Sequence, residues 1–265
     1  MHGMVNIAIR AARRAGELMI RQINQLEALK VTEKGRNEFV TQVDEAAEAA
    51  IIEVIRDHYP EHSILAEESG SSGEHEYQWV IDPLDGTTNY VHGFPVFSVS
   101  IAVMRAGELE HGVVYDPLRQ EIFSASRGQG AQLDGRKIRV SKRTHLQQSL
   151  IATGFPYRAN LKHIDSYLEM LRAVMLETVG IRRPGSAALD LCYVAAGRVD
   201  GFWELGLSKW DIAAGALIIR EAGGRISDFR GTDGYLDSGN VVTGNPKIYA
   251  ALSKLLAPFT RGLEK

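Results

Sequence analysis

The chain has 265 residues, is 45% hydrophobic and 24% charged, and carries a formal net charge of −3. Those fractions exclude a disordered or collagen-like chain and leave ample length to bury a core. The slightly acidic balance excludes a protein that coats nucleic acid with its whole surface, while leaving room for a local basic patch. Its single cysteine, Cys192, excludes an internal disulfide framework and a thiolate zinc cluster, and fits a reducing compartment. The run Met1-His2-Gly3-Met4-Val5-Asn6 enters a helical pattern without a secretory core. The longest nearly apolar stretch, Phe94 to Met104, falls short of the ~20 residues a membrane span requires. A cytoplasmic protein with no membrane partner is expected.

In chain order, apolar spacing predicts a helix over Met4 to Leu29, with Ile7, Ala11, Ala15, Leu18, Ile23 and Leu26 on one stripe. Lys34-Gly35-Arg36-Asn37-Glu38 breaks it. Thr41-Gln42-Val43-Asp44 opens a second helix through Ile51, Ile52 and Ile55 that stops before Pro60. The period then changes to two. Ser63 to Ala66, Trp79-Val80-Ile81 and Phe97 to Val103 read as strands, followed by a meander through Gly112 to Tyr115 and Glu121 to Ala125. The second half mixes both periods: a strand at Leu150 to Thr153, helices at His163 to Leu176 and Ala187 to Ala196, and a strand at Gly201 to Glu204. Ser208 opens a helix over Trp210 to Ala222 that Gly223-Gly224 closes, short strands follow near Ile226 and Val241, and a last helix starts at Asn245. No linker, repeat or low-complexity segment interrupts the chain. The expectation is a single domain over 1–265 of the α/β class, a mixed α+β fold built in layers.

The most informative segment is Trp79-Val80-Ile81-Asp82-Pro83-Leu84-Asp85-Gly86-Thr87-Thr88-Asn89-Tyr90. A strand ends in two aspartates around a proline, which fixes the turn so that both carboxylates converge. Glycine then permits close backbone approach, and the following N–H groups suit an anion. Carboxylates with an anion cradle behind them are what a magnesium-dependent phosphoryl site needs, since hard divalent cations take oxygen ligands and bridge to phosphate. The same residue types also make an ordinary acidic turn. Glu67-Glu68 follows a short apolar strand and reads either as an inward carboxylate or as a solvated loop. Asp44 and Asp211 sit in Thr41-x-x-Asp44 and Ser208-x-x-Asp211, both capping-box patterns, and capping is the stronger reading of each alone. The eight histidines show no paired metal spacing, Gly128-Gln129-Gly130 lacks the third glycine of a dinucleotide fingerprint, and Cys192 lies in a core-like helix.

Together, Glu67-Glu68-Ser69, the Asp82-to-Tyr90 run and Trp210-Asp211 resemble the inositol monophosphatase family of magnesium-dependent, lithium-sensitive phosphatases, grouped with fructose-bisphosphatases and nucleotide 3′-phosphatases. The likeness spans nearly the whole chain and is greatest to a bacterial SuhB-type branch, through the Met1-His2 start and Gly185-Ser186-Ala187-Ala188-Leu189-Asp190-Leu191. It implies an αβαβα sandwich of the inositol monophosphatase and fructose-bisphosphatase type, a homodimer, a small phosphorylated polyol as substrate, and two or three Mg²⁺ per subunit. Carried onto this chain, it makes Glu67, Asp82 and the Leu84 carbonyl ligands of one Mg²⁺, and Asp82, Asp85 and Asp211 ligands of a second. Asp44 and Thr87 match the pair that orients the attacking water, with Glu67 in the catalytic set. Gly86 and Thr87 match a phosphate-binding turn, with Asp85 and Asp211 also at the substrate. Gly185, Ala187 and Glu204 match polyol contacts, and Arg182 is a further substrate contact.

Such a cluster of carboxylates is mutually repulsive unless cations compensate it. A second class of function rests on Arg136-Lys137-Ile138-Arg139 and Lys142-Arg143, a basic strip on an acidic chain that also reads as a solvated hairpin surface. The SuhB-type resemblance implies contact of such a protein with RNA or RNA polymerase during ribosomal RNA synthesis, with hydrolysis secondary.

Overall fold

The computed structural model describes residues 2–23, 31–35, 38–156 and 158–263. Helix α1 (Gly3–Gln22) buries Met4, Val5, Ala8, Ala11, Ala12, Ala15 and Met19 along one stripe, and His2 accepts from the Met4 N–H at its start. Its described part ends at Gln22, and the remainder of the predicted span, residues 24–29 with Leu26 and Leu29, lies outside the described residues. The Lys34-to-Glu38 break is flanked by β1 (Val31–Gly35) and β2 (Glu38–Thr41), an antiparallel pair that the spacing does not predict; Arg36 and Asn37 are outside the described residues. Helix α2 (Gln42–Arg56) packs against α1.

Strands β3 (Ser63–Ala66), β4 (Gly70–Ser72) and β5 (Tyr77–Asp85) precede the short α3 (Thr87–Val91). The meander follows as β6 (Ser98–Arg105), β7 (Glu108–Asp116), β8 (Glu121–Ser126), β9 (Gly130–Leu133) and β10 (Arg136–Lys137). These form an eight-stranded sheet in the order β10-β9-β8-β7-β6-β5-β3-β4, in which only β3 and β5 run parallel. After β11 (Leu150–Thr153), α4 (Ile164–Glu177), β12 (Gly180–Arg182), α5 (Ala187–Ala195), β13 (Gly201–Glu204) and α6 (Lys209–Glu221) come β14 (Arg225–Ser227), α7 (Tyr235–Ser238), β15 (Val241–Gly244) and α8 (Pro246–Leu256). The second sheet has five strands in the order β12-β11-β13-β15-β14.

Helices α1 and α2 cover one face of the large sheet, and α5 and α6 fill the space between the sheets. Helices α4 and α8 cover the outer face of the small sheet. The result is the expected αβαβα layering, with one apolar cluster under α1 and α2, one under α4 and α8, and one continuous cluster that joins both sheets to the α5 and α6 layer between them. Helix α6 lies close on β7 because position 112 is glycine: a Cβ there would stand 2.7 Å from the Ala214 carbonyl oxygen.

The layering brings several element ends to one place. Parallel register pairs Ala66 with Ile81, so Glu67 and Asp82 leave neighbouring strands side by side. The predicted strand over Trp79 to Ile81 continues through Pro83 to Asp85, with a register shift between Asp82 and Asp85. Proline lacks the N–H a regular ladder would use, which accounts for the irregularity there. The starts of α2, α5 and α6 and the end of β13 supply the remaining walls.

Candidate active site

A cleft of about 280 Å³ opens where these ends meet, lined among others by Glu67, Asp82, Leu84, Asp85, Gly86, Thr87, Gly185, Ala187, Glu204 and Asp211. Residues far apart in the chain, singled out from sequence, thus share one wall. Asp82 is buried, with Glu67 hydrogen-bonded to it, and its Oδ1 accepts from the Leu84 N–H at 3.0 Å. Burial and then the nearby Glu67, Asp85 and Asp211 charges hold the Asp82 carboxyl well above the usual range. Burial, Asp211 and Glu68 push Glu67 up to about 8. Burial also raises Asp85, opposed by donors on its Oδ2: the Ser186 hydroxyl at 2.6 Å and the Ala188 N–H at 2.8 Å.

Asp211 does both jobs its position suggested. It accepts from the Ser208 N–H at 2.7 Å as part of a capping box, and it stands in the acidic cluster. The Ser100 hydroxyl donates to the Trp210 carbonyl at 3.1 Å and fastens this helix start to β6. For Asp44 the tertiary role is the one described. The Thr41 side chain lies outside the described residues, while the Thr87 hydroxyl lies 3.0 Å from Asp44 Oδ1 and 3.0 Å from the Leu84 carbonyl oxygen, and can donate to either. Gly86 has φ +98°, and a Cβ there would stand 3.0 Å from the Val96 carbonyl oxygen, so only glycine fits this turn. Asn89 donates to the carbonyls of Val96 (2.8 Å) and Pro184 (2.9 Å), tying α3 to the loop that carries Gly185.

Arg182 is not brought to the cleft. Its side chain is exposed and its Nη1 donates to the Ile181 carbonyl. The neighbouring Arg183 lines the cleft instead, stacked over Phe155 at 5.0 Å. Successive residues of an extended chain point to opposite sides, so an assignment one residue off selects the wrong face. Arg183 is the one cationic side chain among the described cleft residues. It opposes the burial that pushes Glu204 up to about 8. Asp190, inside the Gly185-to-Leu191 run but given no role from it, also lines the cleft, and its buried Oδ1 has no hydrogen-bond partner. Burial, Glu204 and Asp85 hold its carboxyl well above the ordinary range.

The donor set is all oxygen: the buried Asp82, the half-buried Glu67, Asp85 and Asp211, and the Leu84 carbonyl, with no lysine among the described lining residues. That chemistry fits a hard divalent cation rather than a soft one. Among the described residues no three acidic, histidine or cysteine side chains already surround a single point as an ion would require. The contacts explain this. Asp85 accepts from Ser186 and Ala188, and Asp211 from Ser208, so an ion taking those oxygens would have to exchange those bonds.

A layered αβαβα fold with an acidic cleft at converging strand and helix ends defines a class of phosphatase-type sandwiches. The profile of the inositol monophosphatase family matches residues 1–260, and the chain belongs to that family. It is 54% identical over 263 residues to a Nus factor SuhB of Pseudomonas aeruginosa, covering 97% of each chain. It is 52% identical over 254 residues to the Nus factor SuhB of Escherichia coli, covering 95% of each. Among solved structures, the extragenic suppressor protein suhB of Bartonella henselae superposes with a TM-score of 0.94 at 42% identity, covering 98% of this chain and 100% of that one. An inositol monophosphatase from Anabaena gives 0.86 at 41% identity, covering 96% and 95%. Among the described residues no helix is long and apolar enough to cross a membrane.

Proposed function

We propose that the protein is a Mg²⁺-dependent phosphomonoesterase that hydrolyses inositol monophosphates to inositol and phosphate. The observation that carries this reading is the meeting of Glu67, Asp82, Asp85 and Asp211 in one cleft beside the Asp44–Thr87 hydrogen bond. Glu67, Asp82 and the Leu84 carbonyl would hold one ion, and Asp82, Asp85 and Asp211 another, with two or three ions per subunit. Bound Mg²⁺ supplies charge neutralisation, a water of lowered pKa and stabilisation of the leaving oxygen.

The chain's own groups do the rest. Thr87 donates to Asp44, which leaves its oxygen free to accept from a water on the cleft side. As the water oxygen bonds to phosphorus, its proton passes to Thr87 and the Thr87 proton to Asp44, while the ester P–O bond breaks and the departing alkoxide takes a proton from solvent. Gly86 and the start of α3 hold the phosphate. Gly185, Ala187 and Glu204 face the polyol, with Arg183 in the place first assigned to Arg182. Phosphate release from inositol monophosphates that EDTA abolishes and Mg²⁺ restores tests the reading. No release at saturating Mg²⁺ overturns it.

A second reading places the protein in an RNA or RNA polymerase assembly. Arg136 and Lys137 form the exposed edge strand β10, and Arg139 and Lys142 are exposed beyond it. Arg143 is engaged with Asp200 at 3.1 Å, so it contributes less to a free basic surface. The names of the curated relatives support this reading alongside hydrolysis. A homodimer is supported by an uncovered apolar face on and beyond α4: Leu168, Met175, Leu176 and Val179 are 49–70% exposed.

A further inference from the structure

Glu48 is buried on α2, one helical turn after Asp44 and therefore on the same face of that helix. The motifs read from the sequence do not include it. Its two carboxylate oxygens accept separate backbone N–H groups of the turn that follows β3: Glu68 donates to Oε2 and Ser69 to Oε1, each at 2.8 Å. On the other side of the same turn, the Glu67 N–H donates to the Ile81 carbonyl on β5 at 3.2 Å. The backbone at Glu67 is thus held from two directions, by the strand that carries Asp82 and by the helix that carries Asp44. Two hydrogen bonds to one buried carboxylate are charge-assisted and directional, and they leave the turn little freedom. Immediately afterwards Gly70 turns with φ +74° into the edge strand β4, whose pairing with β3 (Ala66 opposite Gly70) closes the turn, so the two Glu48 bonds fix the Glu68 and Ser69 amides at its tip.

We propose that Glu48 is a positioning residue: it clamps the Glu67-Glu68-Ser69 turn so that the Glu67 carboxylate stands beside Asp82 in the geometry that a divalent cation requires. This role rests on the Mg²⁺ reading of the cleft. It makes α2 the common support of Asp44, on the water side, and of Glu67, on the metal side. Outer contacts of this kind orient a ligand without touching the ion, and their loss weakens metal binding more than it alters the chemistry at saturation.

The test compares wild type with Glu48→Gln, which keeps the volume but loses an acceptor, and with Glu45→Gln, an exposed control on the same helix. The first readout uses MgCl₂ alone: the shift of thermal unfolding midpoint as Mg²⁺ is titrated without substrate. Glu48→Gln is expected to need about 10-fold more Mg²⁺ for the half-maximal shift. The Mg²⁺ dependence of phosphate release should move by the same factor, with turnover at saturating Mg²⁺ close to wild type. Amide exchange at Glu68 and Ser69 should quicken in the variant, and Glu45→Gln should match wild type throughout. A merely structural role lowers the melting temperature at every Mg²⁺ concentration and leaves the Mg²⁺ midpoint in place; that result overturns the proposal. If Glu48→Gln does not fold, Glu48→Asp, with the charge on a shorter stem, is read by the same criteria. A wild-type protein unaffected by Mg²⁺ in both readouts overturns the metal reading and this role together, whereas a responsive wild type with an equally responsive variant overturns this role alone.

Discussion

Asp44 and Thr87 meet across 43 positions of sequence, and the chemistry proposed for them predicts behaviour that a helix cap would not show. Removing a cap lowers stability by about 0.5–2 kcal/mol and leaves turnover nearly intact. A water-orienting pair instead loses roughly 10²–10⁴ in kcat for Asp44→Ala or Thr87→Ala, and the double variant loses little more than either. Steady-state kinetics on the three proteins separate the two. Asp82→Asn should abolish phosphate release and raise the melting temperature of the metal-free protein, because it removes a carboxyl whose ionisation burial and its acidic neighbours penalise. Calorimetry in EDTA checks this. The sign of the pH dependence follows from Glu67 and Glu204, both pushed up to about 8. The folded state holds protons that the unfolded chain releases near 4.5, so stability without metal is greatest below that value and falls as pH rises toward 8. Denaturant titrations at pH 5 and pH 8 should show that loss, and saturating Mg²⁺ should shrink it.

Helix α5 shows how an element's own start can also serve the cleft. Ser186 is its N-cap, accepting from the Leu189 N–H while donating to Asp85. Ser186→Ala should therefore cost about 1 kcal/mol of stability without metal and, by freeing Asp85 from a donor that an ion would have to displace, lower the Mg²⁺ concentration that restores it, which a denaturant series run with and without Mg²⁺ will show. Elements of this kind were legible because caps, apolar spacing and terminal glycines lie within a few residues of one another: α2, α5, α6 and the meander fall close to where the pattern puts them. Asp82 and Asp85 stood out because proline and glycine fix their turn, whereas Glu67 and Asp211 joined them only through the family resemblance. What escaped was set by tertiary partners. The β5 ladder carries Pro83 inside it because the flanking register shift removes the need for its N–H. The β1–β2 pairing involves a charged, glycine-bearing segment with no alternation to announce it. Arg183 was missed by the parity of a short strand, and Glu48 because its partners are backbone groups 20 and 21 positions away that leave no trace in side-chain type.

At the scale of the molecule, the layers separate three surfaces that independent substitutions can address. The cleft lies at the element ends, the basic edge at β10 on the rim of the large sheet, and the apolar face on α4 outside the small sheet. Replacing Arg136, Lys137, Arg139 and Lys142 with neutral residues should leave phosphate release near wild type, since exposed charges at a distance are screened at physiological salt. The same change should weaken RNA or acidic-partner binding and flatten its salt dependence. Unchanged affinity and slope would reduce the strip to a solvated surface. Met175→Asp with Leu176→Asp should yield a folded monomer, read by light scattering, while hydrolysis persists.

The acidic cleft draws Glu67 and Asp82 from one sheet and Asp211 from the helix layer that docks upon it. Glu67 and Asp82 crowd one another once β3 and β5 pair, and Asp211 joins them only when the helix layer docks, so the full repulsion acts late on the folding route and is nearly absent from the unfolded ensemble. Long-range closure of this kind is slow to assemble, and the metal-free protein should show the repulsion chiefly as faster opening. Divalent cations should thus act as a latch in time as well as in equilibrium, slowing unfolding far more than they hasten folding.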